Sequence, residues 1–257
     1  MTTAHSGGGD VSRSLELLWQ GKELASRGPK PGLTLERVVA AAVALADREG
    51  LDAVSMRRVA TELEVGTMSL YRYVPGKGEL LDLMLDEVYG PPDALAEHRG
   101  KPWRATMELM AQGTWELYLA HPWLVQVNQA RPILGPNALS GMEFALAGLD
   151  GVGLSGQEKV AVIMAIDHYV TGTARTFVLQ QQVTEQSGIT DEEFWAAQEP
   201  ILEQAMGSGD YPELARLPED AFGIGAEEAL AFGLGPLLDG LEALIARRRR
   251  PGAPRHD

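Results

Sequence analysis

Apolar positions repeat every three to four residues along most of the chain, as they do in helices that bury one face. The clearest predicted helix begins after Thr34, a good N-cap residue, and runs to about Glu49, before Gly50, which fits the position after a helix end. Its predicted buried face consists of Leu35, Val38, Val39, Ala42, Leu45 and Ala46. No run of alternating β-branched residues predicts a sheet. The pattern therefore predicts an all-α fold.

Three shorter helices are predicted directly after this first one. They cover residues 55–63, 67–73 and about 77–89, and a tight turn at residues 64–66 joins the first two. The buried side of the helix capped by Ser55 is predicted to carry Met56, Val59, Ala60 and Leu63. Two helices joined by a tight turn and braced by another helix match a helix-turn-helix unit, whose last helix lies in the major groove of DNA.

The helix at residues 67–73 needs one buried side and one exposed side to act in this way. Val65 and Leu70 are predicted to pack inward. The residues predicted to face outward are Thr67, Met68, Tyr71, Arg72 and Tyr73. Solubility alone does not account for two exposed tyrosines on so short a helix, and tyrosine hydroxyls reach DNA phosphates well.

Longer helices with loops between them are predicted for the rest of the chain. They lie near residues 101–119, 122–130, 136–149, 155–184, 191–207 and 226–249. Ser155 with Glu158 and Thr190 with Glu193 have the spacing of a capping box.

The predicted elements divide the chain into four parts. Residues 1–32 form a flexible arm, in which residues 15–24 could make a short helix, and Arg27 and Lys30 could reach DNA. Residues 33–78 form the helix-turn-helix domain, and residues 79–247 form a larger ligand-binding and dimerisation domain. Residues 248–257 form a disordered tail, and nucleic-acid contact by its arginines is left open.

Charge is distributed unevenly between these parts. The chain has a net charge of −14, but residues 1–77 hold 10 Lys and Arg against 9 Asp and Glu, whereas residues 78–257 hold 12 against 27. An acidic body keeps DNA away from itself and leaves binding to a few cations on the head. The absence of cysteine excludes disulfides. We expect no membrane span and no signal peptide, hence a cytoplasmic protein.

Motifs of catalysis are weak in this sequence. Residues 151–156 match the glycine pattern of dinucleotide-binding loops, but they follow a predicted helix rather than a strand. There is no phosphate-loop string, no histidine pair at metal spacing and no serine-nucleophile elbow. We therefore expect no enzyme activity, no catalytic residue, no metal and no cofactor. A purely structural or protein-interaction helical domain is the main alternative, followed by a small-molecule-binding enzyme.

Specific residue strings in the head resemble the TetR family of bacterial repressors. These strings are Val54-Ser55-Met56-Arg57-Arg58-Val59-Ala60, Leu63-Glu64-Val65-Gly66-Thr67-Met68-Ser69-Leu70-Tyr71-Arg72-Tyr73-Val74, then Lys77 and Leu80-Leu81. The resemblance is strong over residues 34–85. Over residues 100–247 it is diffuse and concerns helix layout, which is similar to that of the tetracycline repressor.

The resemblance implies which residues contact DNA. Arg57 corresponds to an arginine that reads a guanine edge, and Arg58 is expected to be a solvated charge. Ser55 and Lys77 would contact phosphates. The implied DNA-binding set is Ser55, Met56, Arg57, Thr67, Met68, Tyr71, Arg72, Tyr73 and Lys77. Packing of Tyr71 or Tyr73 on the fourth helix is left open, and Arg72 and Tyr73 depart from the tetracycline repressor, which leaves the operator sequence open.

The resemblance also implies a homodimer, paired through residues 155–184 and 226–247, on a near-palindromic double-stranded operator. Small residues on these helices would allow close approach: Ala161, Ala165, Gly172, Ala174, Ala229, Gly233, Gly235 and Gly240. A small-molecule effector, aromatic or polycyclic, would bind inside each body and release the DNA, with the fourth helix as the lever.

Candidate effector contacts are the large and polar side chains of the body. The apolar candidates are Trp103, Met107, Met110, Trp115, Tyr118, Trp123, Phe144, Tyr169 and Phe177. The polar candidates are His121, Gln126, Asn128, Arg131, Asn137, His168, Thr171 and Arg175. Core packing is the alternative for each aromatic residue, and a structural role is the alternative for His168.

Overall fold

The computed structural model describes residues 4–25, 32–90, 92–218 and 220–248. Within them the chain forms eleven α-helices, so the predicted all-α class is confirmed. The helices are α1 (Val11–Ala25), α2 (Leu35–Glu49), α3 (Met56–Glu62), α4 (Thr67–Leu70), α5 (Lys77–Val88), α6 (Trp103–Ala120), α7 (Pro136–Gly148), α8 (Gly156–Ser187), α9 (Asp191–Ala196), α10 (Glu199–Gly207) and α11 (Ala226–Arg248). Short 3-10 helices lie at Leu51–Ala53, Pro92–His98, Pro122–Gln126 and Leu214–Arg216.

Side-chain caps begin the helices of the head at the predicted residues. The Thr34 hydroxyl accepts a hydrogen bond from the Arg37 amide at the start of α2, and the Ser55 hydroxyl accepts one from the Arg58 amide at the start of α3. Each cap satisfies a backbone N–H that has no partner inside the helix. The predicted capping boxes at the starts of α8 and α9 are also present.

The turn between α3 and α4 depends on one residue in a left-handed conformation. Glu64 has φ 55°, which side chains other than glycine rarely adopt. The Val65 amide then donates to the Ala60 carbonyl at 3.0 Å and closes the end of α3. This geometry sets α4 across α3 and gives the head its helix-turn-helix form.

The described N-terminal residues contact the rest of the protein, and the flexible arm expected for residues 1–32 stays a prediction. Strand β1 (Ala4–His5) pairs in parallel with strand β2 (Val127–Asn128), and α1 packs on α5 and α2. Buried serine hydroxyls hold this segment, since Ser6 and Ser14 both donate to the buried carboxylate of Asp82. Arg27 and Lys30, the proposed cations of the arm, lie outside the described residues, as do residues 249–257 of the predicted tail.

Two body segments also differ from the predicted helices. Residues 122–130, expected to be helical, form a 3-10 helix followed by β2, because residues 127 and 128 pair with β1. Residues 191–207, expected to form one helix, form α9 and α10 with a break near Gln198. Helix α10 begins at Glu199, and a single continuous helix would lack one backbone hydrogen bond here because Pro200 has no amide hydrogen.

Helix α8 forms the centre of the body and packs against α6, α7 and α11. The rings of Trp115 and Phe177 stack at 5.6 Å between α6 and α8. Within the described part of the chain, α11 is the one helix with the length and hydropathy of a membrane span. It packs along α8 and buries Leu230, Leu238 and Ile245, whereas only 17% of its apolar window is buried.

Helix α5 connects the head to the body. It packs against α1 and α2 on one side and against α7 on the other, and it buries Leu80 and Met84 completely. Asp82 and Asp86, one helical turn apart, are also buried. The domain limits predicted from the sequence place this helix in the body, and those limits stay a prediction.

Candidate functional site

The head exposes one side of α4 and of the turn that follows it. Met68 is 76% exposed and Tyr71 is 44% exposed, whereas Leu70 between them is fully buried. Arg72 is exposed and Thr67 is half-buried. The α4 surface, defined here as Thr67, Met68, Tyr71 and Arg72, therefore presents apolar, hydroxyl and cationic groups together. Such groups can contact thymine methyls, phosphates and base edges.

The two adjacent arginines of α3 differ in their partners. Arg58 forms ion pairs with Glu49 at 2.7 Å and with Glu62 at 3.6 Å. Arg57 is exposed, and its guanidinium has no acidic partner among the residues that the structure describes. Arg58 is thus held in an acidic cluster on the head, while Arg57 keeps its donors available for a ligand.

Two residues of the implied DNA-binding set are turned into the protein. Met56 is only 7% exposed, because it lies on the side of α3 that also buries Val59 and Ala60. Tyr73 is half-buried, and its hydroxyl donates to the Leu33 carbonyl at 2.8 Å. The periodic pattern had already placed Met56 on the buried face, and this burial argues against a direct base contact by its side chain.

Two further residues of that set lie at the starts of α3 and α5. The Ser55 hydroxyl is occupied in part by the Arg58 amide that it caps. Lys77 is exposed at the start of α5, and its ammonium donates to the Leu51 carbonyl at 3.4 Å. Because this is a long and weak contact, the ammonium remains able to meet a phosphate.

The body contains a cavity of about 570 Å³ between α5, α6, α7 and α8. Its volume lies within the range of about 300–1,000 Å³ that is usual for small-molecule sites. The wall is mostly apolar and includes Leu85, Val88, Met110, Leu117, Ile133, Leu134, Met142, Phe144 and Ile163. Tyr89, His121 and Asp167 add polar groups. Ser6 also lines the cavity, so the N-terminal segment forms part of its wall.

Few of the predicted effector contacts line this cavity. Phe144, Met110 and His121 do so, whereas His168, Tyr169 and Phe177 line a second, more open groove between α8 and α11. The sequence analysis missed Tyr89, Met142 and Asp167. Asp167 and Met164 lie three residues apart on α8, a helical spacing that could have pointed to a common wall.

The other candidates have different surroundings. Met107 and Trp115 are buried in the core, and Trp103 packs against it. The buried Trp123 ring donates to the Asp47 carboxylate at 2.7 Å. Asn128 lies in β2, and its side-chain oxygen accepts from the Ala130 amide. The remaining candidates are exposed or half-buried and do not line the cavity: Gln126, Arg131, Asn137, Thr171 and Arg175.

Burial and negative charge act together on the ionisable groups of the cavity. Partial loss of hydration raises the pKa of Tyr89 to about 12, although the residue is 50% exposed, and the charges of Asp167 and Asp86 add to the effect. Partial loss of hydration also raises the pKa of Asp167, which is likewise exposed. The pKa of the neighbouring Tyr118 is raised as well, chiefly by burial.

The cavity and the head are joined by a direct polar contact. His121, whose ring lines the cavity, is hydrogen-bonded through Nδ1 to the carboxylate of Asp47 on α2 at 2.7 Å. The same Asp47 oxygen accepts from Trp123. The head and the cavity wall are therefore connected in two ways, through this contact to α2 and through α5, which packs on α2 and contributes Leu85 to the wall.

Comparison with known families and proteins agrees with this arrangement. Residues 38–84 match the family described as "Bacterial regulatory proteins, tetR family", and residues 97–245 match "Tetracyclin repressor-like, C-terminal domain". The chain is 55% identical over 253 residues to the HTH-type transcriptional repressor DrrR1 of Streptomyces coeruleorubidus, a match that covers 98% of this chain and 93% of that protein. It is 27% identical over 223 residues to the class E tetracycline repressor protein of Escherichia coli, covering 84% and 94%.

A solved structure shows the same fold. ActR of Streptomyces coelicolor in complex with actinorhodin superposes with a TM-score of 0.60 and 29% identity, and the match covers 83% of this chain and 97% of that one. The two family matches, the DrrR1 match over 98% of the chain and the exposed α4 surface lead to one identification. The chain belongs to the tetR family of bacterial regulatory proteins, as a ligand-responsive, DNA-binding transcriptional regulator and not an enzyme.

Proposed function

We propose that this protein is a cytoplasmic repressor that binds a near-palindromic double-stranded operator as a homodimer and leaves it when a small molecule enters the body. The observation that supports the proposed DNA contact is the exposed α4 surface, with Leu70 buried beneath it. Arg57 at the edge of that surface is the principal base-reading residue in this proposal, since bidentate arginine to guanine is the commonest specific contact.

Exposed apolar side chains support the proposed dimer. They are frequent on α8 and α11 and in the segment between these helices. The most exposed of them are Val183, Ile189, Phe194, Trp195, Ile201, Phe222 and Phe232. A monomeric protein rarely leaves so much apolar surface in contact with water, so this face is the surface that a second copy would cover.

The contacts of the cavity support the proposed coupling. An effector in the cavity would touch Tyr89 on α5 and His121, which is bonded to Asp47 on α2. Displacement of either element would change the spacing of the two heads. An effector shifts this equilibrium only by as much as it prefers one body shape over the other.

The size and lining of the cavity support an aromatic or polycyclic effector. A volume of about 570 Å³ accommodates a molecule of several fused rings, and most of the wall is apolar. The proposal requires no membrane partner and no metal.

A gel-shift assay with DNA from the region upstream of the gene tests the DNA contact. The wild-type protein should form one complex at low concentration, and Arg57→Ala and Tyr71→Ala should each weaken it. A thermal-shift screen of aromatic and polycyclic compounds, followed by release of the labelled DNA, tests the effector step. Sedimentation that shows a monomer at micromolar concentration, or compounds that raise Tm without changing DNA affinity, would contradict the proposal.

A further inference from the structure

All fixed charges that line the cavity are negative. The carboxylates of Asp86, Glu116 and Asp167 lie in its wall, and the lining residues that the structure describes include no lysine or arginine. His121 is the single basic side chain there within the described residues, and its Nδ1 is engaged by Asp47. The charge in this wall therefore bears on which molecules can enter.

The three carboxylates differ in how far protein groups already satisfy them. Asp86 accepts from the amides of Asn137 and Ala138 at the start of α7. Glu116 accepts from the Gln112 side chain at 2.7 Å. Asp167 is exposed, and among the described residues no hydrogen bond or ion pair occupies its carboxylate, although the charge of the neighbouring His168 acts on it. Of the three carboxylates it therefore has the oxygens most available to pair with a cation that arrives with the ligand.

Tyr89 lies in the same wall and is subject to the same negative charges. Its ring lines the cavity beside Asp167 and Asp86, and both charges help to raise the pKa of its hydroxyl. A potential that disfavours a phenolate also disfavours any other anion at that place and favours a cation.

We propose that the effector is an amphiphilic cation, a flat apolar ring system that carries a protonated amine or an equivalent positive group, and that Asp167 pairs with this group. The proposal rests on the proposed function, because it assigns a ligand class to the cavity of the repressor. Apolar residues such as Met142 and Ile163 cover the ring system, and Phe144 and Tyr89 add aromatic rings to the same wall. Neutral analogues bind more weakly, and carboxylated analogues are disfavoured.

Dyes of similar size but different charge test this without the natural effector and without DNA. The three probes are rhodamine 123, a xanthene cation, fluorescein, a xanthene anion, and N-phenyl-1-naphthylamine, a neutral aromatic compound. Their affinities for the full-length protein are measured by fluorescence anisotropy or enhancement at fixed ionic strength. We expect rhodamine 123 to bind at least tenfold more tightly than fluorescein, which corresponds to about 1.4 kcal/mol.

Asp167→Asn removes the charge with little change of shape. It should weaken rhodamine 123 about fivefold or more, strengthen fluorescein, and leave the neutral probe within about twofold. The matched control is Glu185→Gln, which makes the same charge change on an exposed part of α8 away from the cavity and should alter no probe. If Asp167→Asn does not fold, the comparison of the two xanthenes on the wild-type protein still decides the sign of charge.

The possible outcomes separate this inference from the proposed function. Equal binding of the two xanthenes, or a preference for fluorescein, overturns the cationic class while the neutral probe still establishes a ligand cavity. If Asp167→Asn prefers rhodamine 123 over fluorescein as strongly as the control Glu185→Gln does, the assignment of the charge preference to Asp167 is overturned. Failure of the protein to bind upstream DNA contradicts the proposed function and leaves the probe measurements untouched.

Discussion

The Tyr169 hydroxyl lies where a Cβ on Gly233 would have to be, so the glycine leaves room for the α8 tyrosine to reach the backbone of α11. The hydroxyl donates to the Ala229 carbonyl at 2.8 Å and lies 3.1 Å from the Leu230 carbonyl. The sequence analysis assigned Gly233 to the dimer contact as one of several small residues. Within one chain, the glycine already has a structural role, since it makes room for a tyrosine that braces the two helices.

Gly233→Ala should destabilise the protein. The new methyl group overlaps the Tyr169 ring and hydroxyl, and relief requires either a shift of α11 or loss of the tyrosine hydrogen bonds. We expect the free energy of unfolding to fall by about 1–3 kcal/mol, which is typical of overpacking. Urea unfolding followed by circular dichroism measures the change.

Gly156→Ala is the control for that substitution. It also adds one methyl group to a helix, but a Cβ at Gly156 meets nothing within 4 Å. We expect its unfolding free energy to equal or exceed that of the wild type. A Gly233→Ala protein as stable as the Gly156→Ala protein would contradict the packing of Tyr169 described above.

Asp82 on α5 holds the N-terminal segment in place. Its carboxylate accepts from the hydroxyls of Ser6 and Ser14 and from the amide of Gly7, at 3.3, 2.7 and 2.8 Å. Asp82→Ala leaves these buried donors without their acceptor. We expect a loss of about 2–4 kcal/mol in unfolding free energy, together with faster proteolysis of residues 4–25. Differential scanning calorimetry and limited trypsin digestion provide the two measurements.

An exposed aspartate provides the comparison for Asp82. Asp52→Ala makes the same chemical change at an exposed residue of the 3-10 helix between α2 and α3 and should alter stability by less than about 0.5 kcal/mol. If the two variants were equally stable and equally resistant to trypsin, the N-terminal segment would not depend on Asp82 for its attachment.

The parts of the fold that follow from local chemistry could be predicted from the sequence. The caps at Thr34 and Ser55 and the burial of Leu70 depend on residues a few positions apart, so the pattern contains the necessary information. The attachment of the N-terminus could not be predicted in this way. Ser14 and Asp82 are 68 residues apart, and glycine-rich flanks are equally typical of a flexible arm.

The effector cavity was the least predictable part for a related reason. Large aromatic residues were expected to line it, but Trp115 stacks on Phe177 in the core and Trp123 is held by Asp47. Burial in a core and burial against a ligand select the same side chains, so composition does not separate them. The location of Asp167 on the cavity wall follows from how α8 packs against α6 and α7, which no local pattern contains.

Arg57→Ala and Arg58→Ala should affect different properties, although the residues are adjacent. Arg57 has no acidic partner in the described part of the head, and we expect its loss to weaken operator binding by about 1–3 kcal/mol, or roughly 5- to 150-fold. Arg58 is paired with Glu49 and Glu62 on the surface, and its loss should cost less than about 1 kcal/mol of stability. Fluorescence anisotropy with a labelled operator measures the first effect, and urea unfolding measures the second. If both variants lost the same operator affinity, the ion pairs of Arg58 would not separate its role from that of Arg57.

The raised pKa of Tyr89 makes a prediction about stability at high pH. Burial and the nearby charges of Asp167 and Asp86 raise this pKa from 10 to about 12. The folded protein therefore holds the phenolic proton more tightly than the unfolded chain does. This contribution to stability is fully present below pH 10 and is lost as the pH rises towards about 12.

Tyr89→Phe isolates the contribution because phenylalanine does not titrate. Between pH 10 and about 12, the unfolding free energy of the wild type should fall more steeply than that of Tyr89→Phe. Asp167→Asn should lower the pKa of Tyr89 towards its ordinary value, because it removes one of the charges that oppose the phenolate. Urea unfolding across this pH range measures the slopes, and the tyrosinate absorbance of the folded protein measures the pKa. Parallel slopes in the wild type and Tyr89→Phe would show that the cavity places no such constraint on the phenol.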